Sequence, residues 1–184
     1  MCNPASFVVT KNCLVFWSKI HDQHHLIIKE NNLRDAGVRG INIIKVEITP
    51  PTDGRKVSDL KNWDYTLDET EIPSWYNASA VEAACRRELH FWAKYHVIRS
   101  SKTFATIDGH RSLVLIRGHL KIGEVISGYV WSYGESHQEI DTVSGGDVRS
   151  CDKSHQEIGA VSGGYVRSYG ESHQEIGADL RIKQ

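Results

Sequence analysis

Four groups of residues have types and spacings that could do chemistry. Cys2 follows the initiator methionine. A small second residue permits removal of that methionine, leaving a cysteine whose own α-amino group can act as its base. Cys2 is therefore the candidate catalytic residue of an N-terminal-cysteine hydrolase, and the competing reading is a second-position cysteine with no catalytic role. His21, Asp22, His24 and His25 are the densest run of possible metal ligands. His21 and His25 would share a face at i, i+4 if a helix began early enough, but no third ligand accompanies them, which favours a solvated helix N-terminus. Arg34, Arg39, Arg86 and Arg87, together with Trp17, Trp63, Trp75 and Tyr76, are the types that grip a flat anionic ligand. Guanidinium forks pair with phosphate or carboxylate, and indole faces stack on a base. Finally, His119, His137, His155 and His173 recur every 18 residues, with Glu139, Glu157 and Glu175 two positions after the last three of them. Such a column is read most simply as solvated residues copied with a repeat, and no metal site or cofactor is predicted.

The elements that must position these residues follow from periodicity. Residues 136–153 (SHQEIDTVSGGDVRSCDK) and 154–171 (SHQEIGAVSGGYVRSYGE) agree at 12 of 18 positions, and 118–135 agrees with 154–171 at 11 of 18. A fourth copy begins at Ser172, while 100–117 carries only a faint echo in Phe104, Ile107 and Gly109. Each unit places apolar residues at Ile122/Ile140/Ile158/Ile176, Val125/Val143/Val161 and Val130/Val148/Val166, with glycine at the step between them. Glycine suits sharp corners between short strands, and stacking of near-identical units buries a face that one unit cannot bury alone. In-register stacking favours a β-solenoid over a meander of hairpins, and the glycine density excludes a helical repeat.

All four prolines and four of the five tryptophans lie before residue 93, which sets the first part of the chain apart as a head. Residues 6–10 and 14–18 read as a hairpin, 24–33 as a helix ending at Gly37, 41–49 as a strand stopped by Pro50-Pro51, and 63–68 as a short strand. Ser79 with Glu82 reads as a capping box for a helix whose apolar face is Val81, Ala84, Cys85, Leu89, Trp92 and Tyr95. The predicted fold is thus an α+β head, β-β-α-β-β-α, over residues 1–99, followed by an all-β repeat tail over 100–184, a short β-solenoid with 18-residue coils.

Net charge is −1 and 24% of residues are charged, so bulk charge gives no nucleic-acid footprint. No apolar run is long enough to span a membrane, and no signal-peptide pattern opens the chain, so a cytoplasmic protein is expected. The four cysteines form no CxxC pair and imply neither zinc knuckle nor disulfide framework. Walker and dinucleotide-binding motifs are absent.

Phe7-Val8-Val9-Thr10 followed by Val15-Phe16-Trp17, behind Cys2, resembles the opening of N-terminal-nucleophile hydrolases such as bile-salt hydrolases and class II amidotransferases. Those enzymes carry an Arg-Asn-Asp type sequence where this chain has Ser18-Lys19-Ile20. Met1-Cys2-Asn3-Pro4 with Phe7-Val8, Val15-Phe16-Trp17-Ser18, Val46-Glu47-Ile48-Thr49-Pro50, the Pro73-Ser74-Trp75 turn and the Ser-Gly-Gly-x-Val repeats resemble uncharacterised small proteins of bacteriophages and prophages. That resemblance implies a phage accessory protein, of a kind that often acts against host defences, some by sequestering nucleotide signals; it would work in the host cytoplasm. The resulting expectation is a binding protein rather than an enzyme. Its head would hold a small anionic, nucleotide-like ligand through Trp17, His24, His25, Arg34, Arg39, Trp75, Tyr76 and Arg86, and its tail would assemble a homo-oligomer, with no nucleic-acid or membrane partner. The alternatives are the Cys2 hydrolase and a structural or protein-interaction module.

Overall fold

In the computed structural model, which describes residues 4–33, 42–53 and 55–181, the chain falls into two units, Met1–Tyr95 and His96–Gln184. The head begins with the β-branched run that forms β1 (Ser6–Thr10), folding back through a tight hairpin onto β2 (Val15–Phe16). Helix α1 (His24–Glu30) follows. It stops well before Gly37 because Asn31 turns its side-chain amide onto the Ile27 carbonyl at 2.9 Å and Asn32 adopts φ 51°, two asparagines closing the helix where a glycine was expected. Gly37 itself lies outside the described residues. Strands β3 (Ile43–Thr49) and β4 (Asp64–Leu67) complete an antiparallel sheet of order β2-β1-β3-β4.

Helix α2 (Ala78–His96) is capped by Asn77, whose Oδ1 accepts from the Ala80 backbone N–H at 3.0 Å. Ser79 therefore sits inside the first turn, and Glu82 pairs with Arg86 at i, i+4 instead of reaching back to a cap. Val81, Ala84, Cys85, Leu89 and Trp92 are buried as their spacing predicts, whereas Tyr95, in the same helical phase near the end of α2, is 42% exposed. Trp92 meets Trp63 edge-on, ring centroids 5.9 Å apart, and the Trp63 indole N–H donates to the Val57 carbonyl at 2.9 Å.

The tail is a parallel β-solenoid of five coils, each with one long and one short strand. The long strands are β6 (Lys102–Ile107), β8 (His119–Val125), β10 (His137–Val143), β12 (His155–Val161) and β14 (His173–Asp179). The short ones are β5 (Val97–Ile98), β7 (Ser112–Leu115), β9 (Tyr129–Ser132), β11 (Asp147–Ser150) and β13 (Tyr165–Ser168). They stack in two sheets, β14-β12-β10-β8-β6 and β13-β11-β9-β7-β5. The isoleucine and valine columns read from the sequence point inward and, with Leu113, Leu115 and Leu120, form one continuous core. Each fully buried aliphatic side chain contributes roughly 1.5–3 kcal/mol. Beside them runs an interior column of glutamines: Gln156 donates its side-chain amide to Gln138 at 2.5 Å, and Gln174 to Gln156. Sharing amides between rungs satisfies the Gln138 and Gln156 side-chain oxygens, while Gln138 Nε2, at the start of the column, is buried without a hydrogen-bond partner.

The faint echo over 100–117 is a full coil. Four residues, 108–111, join β6 to β7, whereas three, 126–128, join β8 to β9. Thus β6 pairs with β8 at the 18-residue offset (Lys102 with Leu120), but β7 pairs with β9 at 17 (Leu113 with Val130). A gapless 18-residue alignment sets Leu113 against Trp131 and hides the match. At the corner after β8, Gly128 has φ 92°, and a Cβ there would stand 2.0 Å from the Arg111 carbonyl oxygen.

Candidate functional site

In the head, the β1–β2 hairpin and α2 bound an open cleft of about 360 Å³ lined by Cys13, Leu14, Val15, Phe16, Ala84, Arg87 and Glu88. The hairpin is set by the Cys13 N–H donating to the Thr10 carbonyl at 2.8 Å, with Cys13 itself at φ 59°, which leaves Cys13 and Leu14 exposed at the rim. Ala84, Arg87 and Glu88 share a helix face at i, i+3, i+4. Trp17 donates its indole N–H to Glu88 Oε2 at 3.0 Å and stacks obliquely on Tyr95, whose ring also carries the Lys19 ammonium at 4.9 Å. Arg87 is exposed, and no hydrogen bond or ion pair engages it among the described residues. A free guanidinium at the mouth of an apolar-walled cleft can take a phosphate or carboxylate.

A second feature of the head is a buried polar cluster of Ser6, Ser18, Asp22, His24 and Glu47. The Ser6 backbone N–H donates to Asp22 Oδ1 at 2.6 Å, and Ser18 Oγ accepts from the backbone N–H groups of Ile20 and His21 at 3.1 Å each. His24 Nε2 is 3.1 Å from the Val46 carbonyl, so that nitrogen carries the proton, and Nδ1 faces Asp68 Oδ2 at 3.2 Å. Burial is the main influence on His24 and lowers its pKa below the ordinary histidine value. With Glu47 and Asp68 it forms a group able to hold a metal ion, the ligand atoms all within 4.8 Å of one another. As a general base His24 is poorly placed, because it is 3% exposed and one nitrogen is spent on the backbone.

The solenoid supplies the third feature. Its long-strand sheet carries the histidine column on its outer face, His137, His155 and His173 stacked with centroids 4.8 Å apart and His119 turned edge-on to His137 at 4.6 Å. These are rung spacings of a parallel sheet. Glu139, Glu157 and Glu175, with Asp141, line a groove of about 330 Å³ floored in part by Gly159 and Gly177. Like-charged carboxylates on adjacent rungs would repel, and each has a cationic or imidazole neighbour. Lys121 reaches Glu139 at 2.5 Å and holds its carboxyl below the usual range, His155 reaches Glu157 at 3.0 Å, and His173 reaches Glu175 at 2.9 Å.

The residues expected to hold a ligand are not all gathered together. Cys2, Arg34 and Arg39 lie outside the described residues. His25 is exposed on α1, and His21 precedes the helix, so the two share no helix face. Arg86 is pinned to Glu82 at 2.7 Å and to the Trp63 carbonyl at 3.1 Å. Tyr76 OH meets Tyr65 OH at 3.1 Å, and Trp75 beside it is half-buried. Arg86 and Glu88 are two residues apart on α2, roughly 200° around the helix. Trp17, which holds Glu88, therefore cannot share one pocket with Arg86. Sequence reasoning placed Arg86 in the ligand set and left Arg87 out of it; helical phase was the signal that separates them, since only Arg87 shares the face of Ala84 and Glu88. Glu47 and Asp68 went unnoticed because they reach His24 from separate parts of the chain, Glu47 on β3 and Asp68 just past the end of β4. Comparison with protein-family models, with curated proteins and with solved structures gave no match.

Proposed function

We propose that the chain is a binding protein of the phage accessory type, whose head takes a small anionic, nucleotide-like ligand in the cleft between the β1–β2 hairpin and α2 and whose solenoid joins copies of the chain. In this reading the head is a small α+β domain, with Arg87 as the anion-pairing group, Leu14, Val15 and Phe16 as the apolar wall, and Trp17 restraining Glu88. The observation that carries it is Arg87: an exposed guanidinium, with no hydrogen bond or ion pair among the described residues, on a cleft whose volume falls in the ordinary range for small-ligand sites, about 300–1,000 Å³. The phage character rests on the sequence resemblance. No helix among the described residues is long and apolar enough to cross a membrane.

The test is calorimetric titration of the full chain with a panel of mono-, di- and cyclic nucleotides. A charge-assisted hydrogen-bonded pair contributes about 1.5–3 kcal/mol, so Arg87→Ala should weaken the bound member by roughly 10- to 150-fold. Arg86→Ala should lower thermal stability, because that guanidinium ties α2 to the Trp63 backbone, and should leave affinity nearly unchanged. Absence of binding across the panel, or equal affinity in Arg87→Ala, would overturn the proposal.

A further inference from the structure

The stacked coils place two imidazoles and one carboxylate where no single repeat could. Glu157 Oε1 lies 3.0 Å from His155 Nε2 on its own strand and 3.6 Å from His137 Nε2 on the preceding coil. The three ligand atoms all lie within 4.8 Å of one another. A tetrahedral zinc ion with bonds of about 2.0–2.1 Å separates its ligand atoms by about 3.3 Å. The two nitrogen–oxygen separations already bracket that value, and drawing the nitrogens together needs only small rotations of half-exposed rings. We propose that His137, His155 and Glu157 form a site for a divalent transition-metal ion of the Zn²⁺ type, clamping coil to coil on the outer face of the long-strand sheet.

The donor set gives the chemical class. Two imidazole nitrogens with one carboxylate oxygen suit zinc, cobalt or nickel, whereas calcium and magnesium prefer all-oxygen shells. A fourth position is left to solvent or an added donor.

The site is one, although the column has four histidines. At the coil above, the equivalent carboxylate, Glu139, is engaged by Lys121, an ammonium standing where a metal would have to sit. At the coil below, Glu175 is 65% exposed and bonded to His173 of its own strand. Glu139 has one imidazole, His119 of the preceding coil at 3.4 Å, beside that ammonium, so among the described residues only Glu157 pairs with imidazoles of two successive coils. The inference concerns the solenoid and stands independently of the ligand reading for the head.

The test uses the full chain, freed of metal by chelator. Co²⁺ titration followed by visible absorption should saturate near one equivalent with a four-coordinate spectrum, and Zn²⁺ calorimetry should give the same stoichiometry. His155→Asn and Glu157→Gln, both on an outward face, should keep the native circular dichroism. Removing a primary ligand should weaken binding at least as much as the about 10- to 100-fold typical of losing one of its hydrogen-bond partners. His173→Asn should bind as the parent does. The proposal is overturned by no binding, by unchanged binding in folded His155→Asn, which would move the ion to another group such as His24, Glu47 and Asp68, or by a thiolate charge-transfer band, which would make a cysteine the ligand.

Discussion

Cys13, Cys85 and Cys151 differ in reactivity because of where the chain puts them. Cys13 is exposed at the hairpin tip, while burial pushes the Cys85 thiol up to about 12 and the Cys151 thiol up to about 11. At pH 8 the two buried thiols lie well below their pKa and are sealed from reagent. Peptide mapping after brief treatment with iodoacetamide should show Cys13 modified and Cys85 and Cys151 intact until the chain is denatured. Since Cys13 lines the cleft beside Arg87, a ligand held there should also slow its alkylation. Rapid native labelling of Cys85 would contradict the packing of α2. The same scale shows why the site was only partly legible in the sequence. Arg87 and Arg86 are adjacent and identical in type, and only the helix phase assigns one to the cleft and the other to Glu82.

Elements explain where sequence patterning succeeded and where it misled. The solenoid was legible because its central coils are near copies and each strand pairs with its counterpart 18 residues away, as Ile140 does with Ile158. The coil over 100–117 was not, because a corner lengthened by one residue slides β7 out of phase while its inward leucines stay in the core. In the head, a serine and glutamate at capping-box spacing outweighed Asn77 two positions earlier, whose short amide side chain does the capping. Corner geometry yields its own prediction. Gly128→Ala would require a left-handed alanine and displacement of the Arg111 backbone, so denaturant unfolding should show a loss of at least about 2 kcal/mol. Exposed Gly170, whose nearest atom would be 3.4 Å from an added Cβ, should lose less on the same substitution, because only the backbone strain remains. Equal losses at both positions would contradict the close stacking at the β8–β9 corner.

Across the molecule, the two units divide the proposed work, with a ligand cleft in the head and assembly and metal in the solenoid. The last coil differs from those before it: β13 and β14 are exposed along most of their length, and no described strand pairs with the far edge of β14. An unpaired edge of this kind templates another strand. A second copy of the chain offers the same HQEIGA segment that β12 and β14 already share in register. Light scattering during size exclusion should therefore give a mass above 20.8 kDa for the parent and a shift toward that monomer value in Ile176→Lys; a strictly monomeric parent would contradict edge assembly. Division of labour is the central claim, and one paired calorimetric experiment on the full chain tests it most directly. Arg87→Ala and His155→Asn are each titrated with the bound nucleotide and with Zn²⁺. The account predicts that Arg87→Ala loses the nucleotide and keeps the metal, while His155→Asn does the reverse; loss of both ligands in either variant, or of neither in both, would contradict it.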